Sequence, residues 1–209
     1  MIDAGREEFL ATLNVSRETI ERLDTYAELV EKWNPAINLV SKGSLKDLWA
    51  RHFRDSAQIF KLSKIERGVW ADFGSGGGFP GLVIAILAAE LAPNVSIVCV
   101  ESDVRKATFL RTVIRETGIA AKVMSERIEA LLPLGAEIIS ARALASLDDL
   151  IGYAAPHLAK TGRCLFLKGA TFEKERAEAL ENWRFSCEDY SSETDSEAVI
   201  LKIGAIERV

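Results

Sequence analysis

The sequence predicts an α/β fold: a Rossmann-like, seven-stranded and mostly parallel sheet, preceded by a helical extension. Three observations predict it. From residue 69 onward, apolar runs of strand length alternate with helical patterns. A glycine-rich bend, Asp72-Phe-Gly-Ser-Gly-Gly-Gly-Phe-Pro-Gly81, joins the first run to an apolar helix. The last two runs are separated only by the acidic stretch 191–197, so they form an antiparallel hairpin.

Residues 3–60 read as helical. Ser16 is a candidate N-cap with Glu18 in the first turn, and Ile20, Leu23, Ala27, Val30 and Trp33 recur on one face. Asn34-Pro35 is expected to break that helix, and Ser44 to cap a second one through Leu48, Phe53, Ala57 and Phe60. No flexible linker follows. Residues 1–62 are therefore expected to form a helical cap packed on a core domain of residues 63–209. Strands are expected at 69–73, 95–100, 121–124, 137–141, 163–167, 185–190 and 198–203. Helices are expected at 81–91, 104–117, 127–132, 147–158 and 172–181. Such alternation gives a parallel sheet covered on both faces. The closing hairpin adds an antiparallel strand, as in the methyltransferase version of the doubly wound fold.

Composition narrows the function classes. A hydrophobic content of 48% suffices for a buried core, while the longest apolar stretch, 79–89, is too short to span a bilayer. No membrane partner is expected. Asp3, Arg6, Glu7 and Glu8 leave no charged-then-apolar leader at the start. Cys99, Cys164 and Cys187 form no redox or metal pair, so a reduced, cytoplasmic protein without bound metal is expected. A net charge of −5 argues against a general basic field for nucleic acid. Two local basic faces stand out on this acidic body: 42–54, with Lys42, Lys46, Arg51 and Arg54, and 104–115, with Arg105, Lys106, Arg111 and Arg115.

Strand, bend and helix N-terminus make a seat for a nucleotide-like ligand, because free amides and the positive end of the helix dipole point out of the sheet. Gly76-x-Gly78-x-x-Gly81, with Glu101 twenty residues on, fits a dinucleotide. Asp72 at the tip of the first strand, with Gly74 and Gly76, suits instead the ammonium of a methionine moiety. Glu101 then accepts two ribose hydroxyls. This combination favours S-adenosyl-L-methionine as cofactor over a dinucleotide. Ile128 and the amides near Glu129 are placed to cover and read an adenine, although plain helix packing explains Ile128 equally well. Arg142, at the tip of a central strand, faces the meeting place of cofactor and substrate; the competing reading is a salt bridge to Asp72 or Asp148. His52 is either a helix residue satisfied by Asp55 or a group at the rim of the site, and His157 is read as structural.

At this point the residues resemble the bacterial 16S ribosomal RNA guanine-N7 methyltransferases, also called glucose-inhibited division protein B. The resemblance covers nearly the whole chain. It rests on Trp33-Asn34 with Ile37-Asn38-Leu39, His52-Phe-Arg-Asp-Ser56, the bend from Asp72 to Gly81, and Glu101 followed by Arg105-Lys106 and Phe109-Leu110. Arg127-Ile128-Glu129, Ala141-Arg142-Ala143 and Lys168-Gly169 complete it. Two small departures are Gly77, where alanine or proline is usual, and Arg105, where lysine is common.

The resemblance implies a class I S-adenosylmethionine-dependent methyltransferase fold. Gly74, Phe79, Ile128, Glu129 and Arg142 would contact the cofactor, with Arg142 also the catalytic candidate. The partner would be 16S rRNA or the small ribosomal subunit, held by His52, Arg54, Arg105, Lys106 and Lys168, and the enzyme a monomer. What is missing agrees with this chemistry. Guanine N7 carries no proton, so its methylation needs no general base. An Asp/Asn-Pro-Pro-aromatic motif for amines and a strand-tip nucleophilic cysteine are both absent from the sequence. A small-molecule methyltransferase of the same fold and a non-catalytic S-adenosylmethionine-binding regulator remain as alternatives.

Overall fold

The structure, a computed structural model, describes residues 4–209. Asp3 and the start of the expected cap lie outside the described residues. The chain begins with α1 (Ala4–Ala11) and the long α2 (Arg17–Ile37), whose N-terminus is capped by Ser16 through the Thr19 amide. Pro35 does not break α2 as expected. It sits in the last turn, where only one backbone bond is lost, and the helix stops three residues later at Asn38. Asn38 takes up left-handed backbone (φ 52°) and donates its amide to the Asn34 carbonyl. The buried Asn34 side chain accepts the Val40 amide at 2.8 Å, which fixes the exit direction.

The expected second helix is divided. Ser41, not Ser44, caps the short α3 (Lys42–Leu45); a π-helical turn follows over Leu48–Phe53 and runs into α4 (Arg54–Ser63). The widened turn carries His52, and π-turns recur where a helix re-aims a side chain at a site.

The core then alternates: β1 (Arg67–Phe73), α5 (Gly81–Leu91), β2 (Asn94–Val100), α6 (Val104–Thr117), β3 (Ala121–Met124), β4 (Ala136–Arg142), α7 (Leu147–Ala154), β5 (Leu158–Lys168), α8 (Phe172–Asn182), β6 (Trp183–Ser191) and β7 (Val199–Arg208). The helix expected at 127–132 is only a 3₁₀ turn, Ile128–Ala130, because the chain is already extended at Leu131, just ahead of the Leu132-Pro133 pair that disfavours helix. Likewise α7 ends ahead of Pro156: Ala155–His157 form a 3₁₀ turn, and Leu158, expected at the helix end, opens a β5 longer than expected. The irregular register between Ala136 and Ile138 absorbs the extra β5 residues.

The sheet runs in the order β3-β2-β1-β4-β5-β7-β6. The first five strands are parallel, β7 is antiparallel to β5, and β6 closes the hairpin. Alternation along β1 sends Trp70 to one core and Ala71 and Phe73 to the other. Helix α5 is apolar all round and buried from Gly81 to Ala88. Such a helix needs cover on its outer side, and the N-terminal helices supply it: Phe9, Leu23, Tyr26, Val30 and Phe53 share one core with Leu82, Ile84 and Ile86.

Candidate active site

After Phe73 the chain bends over the carboxyl end of the sheet before α5 begins. Asp72 is fully buried beneath that bend. Its Oδ2 accepts the Gly81 amide at 3.2 Å, and its Oδ1 accepts the Ser140 hydroxyl at 2.7 Å. Trp70 Nε1 donates to the same Ser140 at 2.9 Å. Burial pushes the Asp72 carboxyl up to about 6, against the lowering effect of these bonds. A Cβ at Gly81 would stand 2.7 Å from Asp72 Oδ2, so glycine is what lets the helix start against the carboxylate. Asp72, expected to face a ligand's ammonium, instead lies under the backbone of the bend and lines neither of the two clefts that flank it.

The first cleft, of about 390 Å³, opens between the tips of β1, β2 and β4 and the 3₁₀ turn. It brings together Gly74, Gly76, Glu101, Ile128 and Glu129, all expected near the cofactor. Glu101 is nearly buried; its Oε2 accepts the Gly76 amide and its Oε1 the Asp103 amide, each at 2.8 Å. The carboxylate thus fixes the bend relative to the second strand while remaining part of the cleft wall. Gly74 holds left-handed backbone (φ 64°), and a Cβ there would meet Leu144 Cδ1 at 2.6 Å. Lys106 also lines this cleft. Arg105 lies outside it, exposed and paired with Asp103 at 3.1 Å.

The second cleft, of about 480 Å³, lies beside the tips of β4 and β5 under the turn that joins β6 to β7. Ala143 belongs to both clefts and stands between them in left-handed backbone (φ 50°), a costly conformation for a residue with a side chain. Below the second cleft is a stack built on Phe79. Tyr26 lies 5.1 Å from that ring, His52 5.0 Å away, and the Arg142 guanidinium 5.5 Å away. Tyr26 also donates its hydroxyl to the Gly77 carbonyl at 2.6 Å, so α2 clamps the bend.

His52 is not satisfied by Asp55. Both of its ring nitrogens lack a hydrogen-bond partner among the described residues. Burial, then the charges of Arg142 and Arg51, push its pKa down to about 3, so the ring is neutral at physiological pH. Asp55 bonds elsewhere: its Oδ1 accepts Gln58 Nε2 at 3.0 Å, Ser192 Oγ at 3.4 Å and the Thr194 hydroxyl. Arg142 makes no ion pair with Asp72 or Asp148 in the described residues; burial lowers its pKa while Asp55 opposes that.

Two residues expected at RNA are committed to the protein. Arg54 pairs with Glu8 at 3.2 Å and Glu193 at 3.5 Å. Lys168 pairs with Glu175 at 2.5 Å, donates to the Ala145 carbonyl at 2.9 Å, and is 9% exposed although it borders the second cleft. Lys168 is held in a mostly buried ion pair, whereas the carboxylates paired with Arg54 are largely exposed. His157 is buried against the edge of Phe73, 5.5 Å between centroids. Among the described residues there is no cluster of ligands that could hold a metal ion, and no helix is long and apolar enough to cross a membrane.

A sheet with one antiparallel strand next to its edge, and a glycine bend tied to an acid ending the second strand, define the class I S-adenosylmethionine-dependent methyltransferase fold. A solved ribosomal protein L11 methylase from Lactobacillus delbrueckii subsp. bulgaricus shares it, with a TM-score of 0.57 and 18% identity over 71% of this chain and 75% of that one. The family model for rRNA small subunit methyltransferase G (GidB) matches residues 19–199, and the chain belongs to that family. The ribosomal RNA small subunit methyltransferase G of Ruegeria pomeroyi is 56% identical over 95% of this chain and 97% of its own length. The protein of the same name from Cereibacter sphaeroides strain ATCC 17029 is 50% identical over 98% of this chain and 99% of its own.

Proposed function

We propose that this protein transfers a methyl group from S-adenosylmethionine to N7 of a guanine in 16S ribosomal RNA, as a cytoplasmic monomer. One observation carries the division of labour: two clefts meet at Ala143, one walled by the glycine bend and Glu101, the other by His52, Asp55 and Arg142. The first suits the cofactor. Its volume is that of a small-ligand site, its glycines allow close backbone approach, and its acid lies at the end of the second strand. Glu101 would hold the ribose hydroxyls, with Ile128 against the adenine face and the Glu129 backbone at its edge.

S-adenosylmethionine supplies a methyl group already activated on a sulfonium. The protein's share is placement. N7 of guanine has an in-plane lone pair and no proton, so no residue of the second cleft has to remove one. Holding the ring in line, about 3 Å from the methyl carbon, supplies most of the rate. The ring must leave its stack to enter the cleft. There the fixed, cationic Arg142 stands ready to donate to O6 as positive charge develops on the base. His52 fills the floor beside Phe79 and stays neutral, so it adds no positive charge against the cationic product. Arg51, exposed and in a long ion pair with Asp195 at 3.7 Å, and Lys106, half-buried at the rim of the first cleft, are the cations best placed to meet phosphates.

The test is transfer of labelled methyl to 16S rRNA or small subunits from a strain lacking the enzyme, followed by mapping. Label on guanine N7 is expected. Label on another atom, or on small molecules alone, overturns the reading.

A further inference from the structure

We propose that Asp55 selects the base, its Oδ2 accepting the N1–H and exocyclic amine of guanine within the second cleft. This rests on the activity proposed above and names the residue that makes guanine the substrate. The three hydrogen bonds that hold Asp55 all arrive at Oδ1, from Gln58, Ser192 and Thr194. Among the described residues none reaches Oδ2, although Asp55 is half-buried and lines the cleft. A carboxylate oriented by three donors and left with one free oxygen is a placed acceptor, since half-buried polar atoms otherwise find partners.

The chemistry of the neighbours decides what it accepts. Arg142 offers only donors, and belongs to the wall shared with the first cleft through Ala143. Asp55 offers only acceptors when ionised, and belongs to the wall made with Ser192. A ligand bridging them needs an acceptor on the side toward the cofactor and adjacent donors on the other side. Guanine has this pattern: O6 beside N7 on one edge, N1–H beside the N2 amine on the other. Adenine does not. It would set the N1 lone pair against the carboxylate and an amine against Arg142. The polarity of the cleft therefore both selects guanine and turns its N7 toward the bend.

The experiment uses the full-length enzyme and rRNA carrying either guanosine or inosine at the position the wild type methylates. Inosine lacks the exocyclic amine and is otherwise identical on both edges. The wild type should prefer guanosine by about tenfold or more in kcat/KM, the effect of one charged hydrogen bond. Asp55→Asn retains an acceptor for Gln58, Ser192 and Thr194 but sets an amide donor against N1–H; in it the preference should fall below about twofold. Asp55→Ala should behave alike, with S-adenosylhomocysteine binding within about twofold of wild type as the check on the first cleft. A guanosine preference unchanged in both variants, or absent from the wild type, overturns the assignment while leaving the activity standing. No transfer to guanosine by the wild type would remove the activity itself, and this assignment with it.

Discussion

The guanidinium of Arg142 lies 5.5 Å from the centroid of the Phe79 ring, so a strand-tip cation rests on an aromatic residue of the glycine bend. This contact ties the bend to the second cleft: a residue of the glycine turn also sets the height of the charge that lines that cleft. Arg142→Ala is expected to lower kcat by about 100-fold, the scale for losing one fixed donor at developing charge, with little change in melting temperature. Arg142→Lys should recover only part of the rate, because an ammonium neither stacks flat nor forks. Parallel loss of stability and activity would make the arginine structural.

Glu101 gives a binding prediction. Removing its carboxylate frees the Gly76 and Asp103 amides and, on the proposed reading, two ribose contacts as well. Glu101→Ala should weaken S-adenosylhomocysteine binding by about 1–3 kcal/mol, read by calorimetry. An unchanged dissociation constant would remove Glu101 from the cofactor site.

His52 gives a pH prediction. Unfolded, the ring takes up a proton near its ordinary 6.5; folded, it resists protonation down to about 3. Between those values the unfolded chain binds more protons. The contribution is therefore fully present above about pH 6.5 and is lost as pH falls toward 3. Relative to His52→Gln, the wild type should lose melting temperature progressively on acidification through this window. A difference that is flat with pH would show that the folded ring titrates like a solvated one.

Lys168 separates two roles. Its ion pair with Glu175 joins the tip of β5 to α8 and is mostly shielded from water. Lys168→Ala should destabilise the fold by about 3 kcal/mol, as expected when one partner of a buried pair is removed. Glu175→Gln should be destabilising too. A rise in KM for rRNA with unchanged stability would instead place Lys168 at the RNA.

The architecture was legible because its signals are local. Glycine spacing, period-two runs and capping residues located Gly81–Leu91, Val104–Thr117 and Ala121–Met124 at the bounds the structure shows. That Glu101 and Ile128 meet in one cleft was legible for the same reason: strand ends and the loops after them project to one edge of a parallel sheet. What escaped depends on contacts distant in sequence. Nothing near Asp55 announces that Thr194, 139 residues on, will orient it. Nothing near Asp72 says that Ser140, 68 residues on, and the Gly81 amide will occupy its oxygens. Arg54 and Lys168 looked free for phosphate because Glu193 and Glu175 come close only through tertiary packing. Pro35 misled for a different reason, since a proline's effect depends on how many helical residues follow it.

The turn after β6 has a consequence in time as well as space. Ser192, Asp195, Ala198 and Val199 wall the second cleft, and Glu193 and Thr194 grip the first residues of α4, Thr194 from 139 residues further along the chain. During synthesis the glycine bend and its surrounding strands emerge well before this clasp exists. A nascent chain can form the glycine bend early, yet the wall of the second cleft is complete only after residues 192–199 have been made.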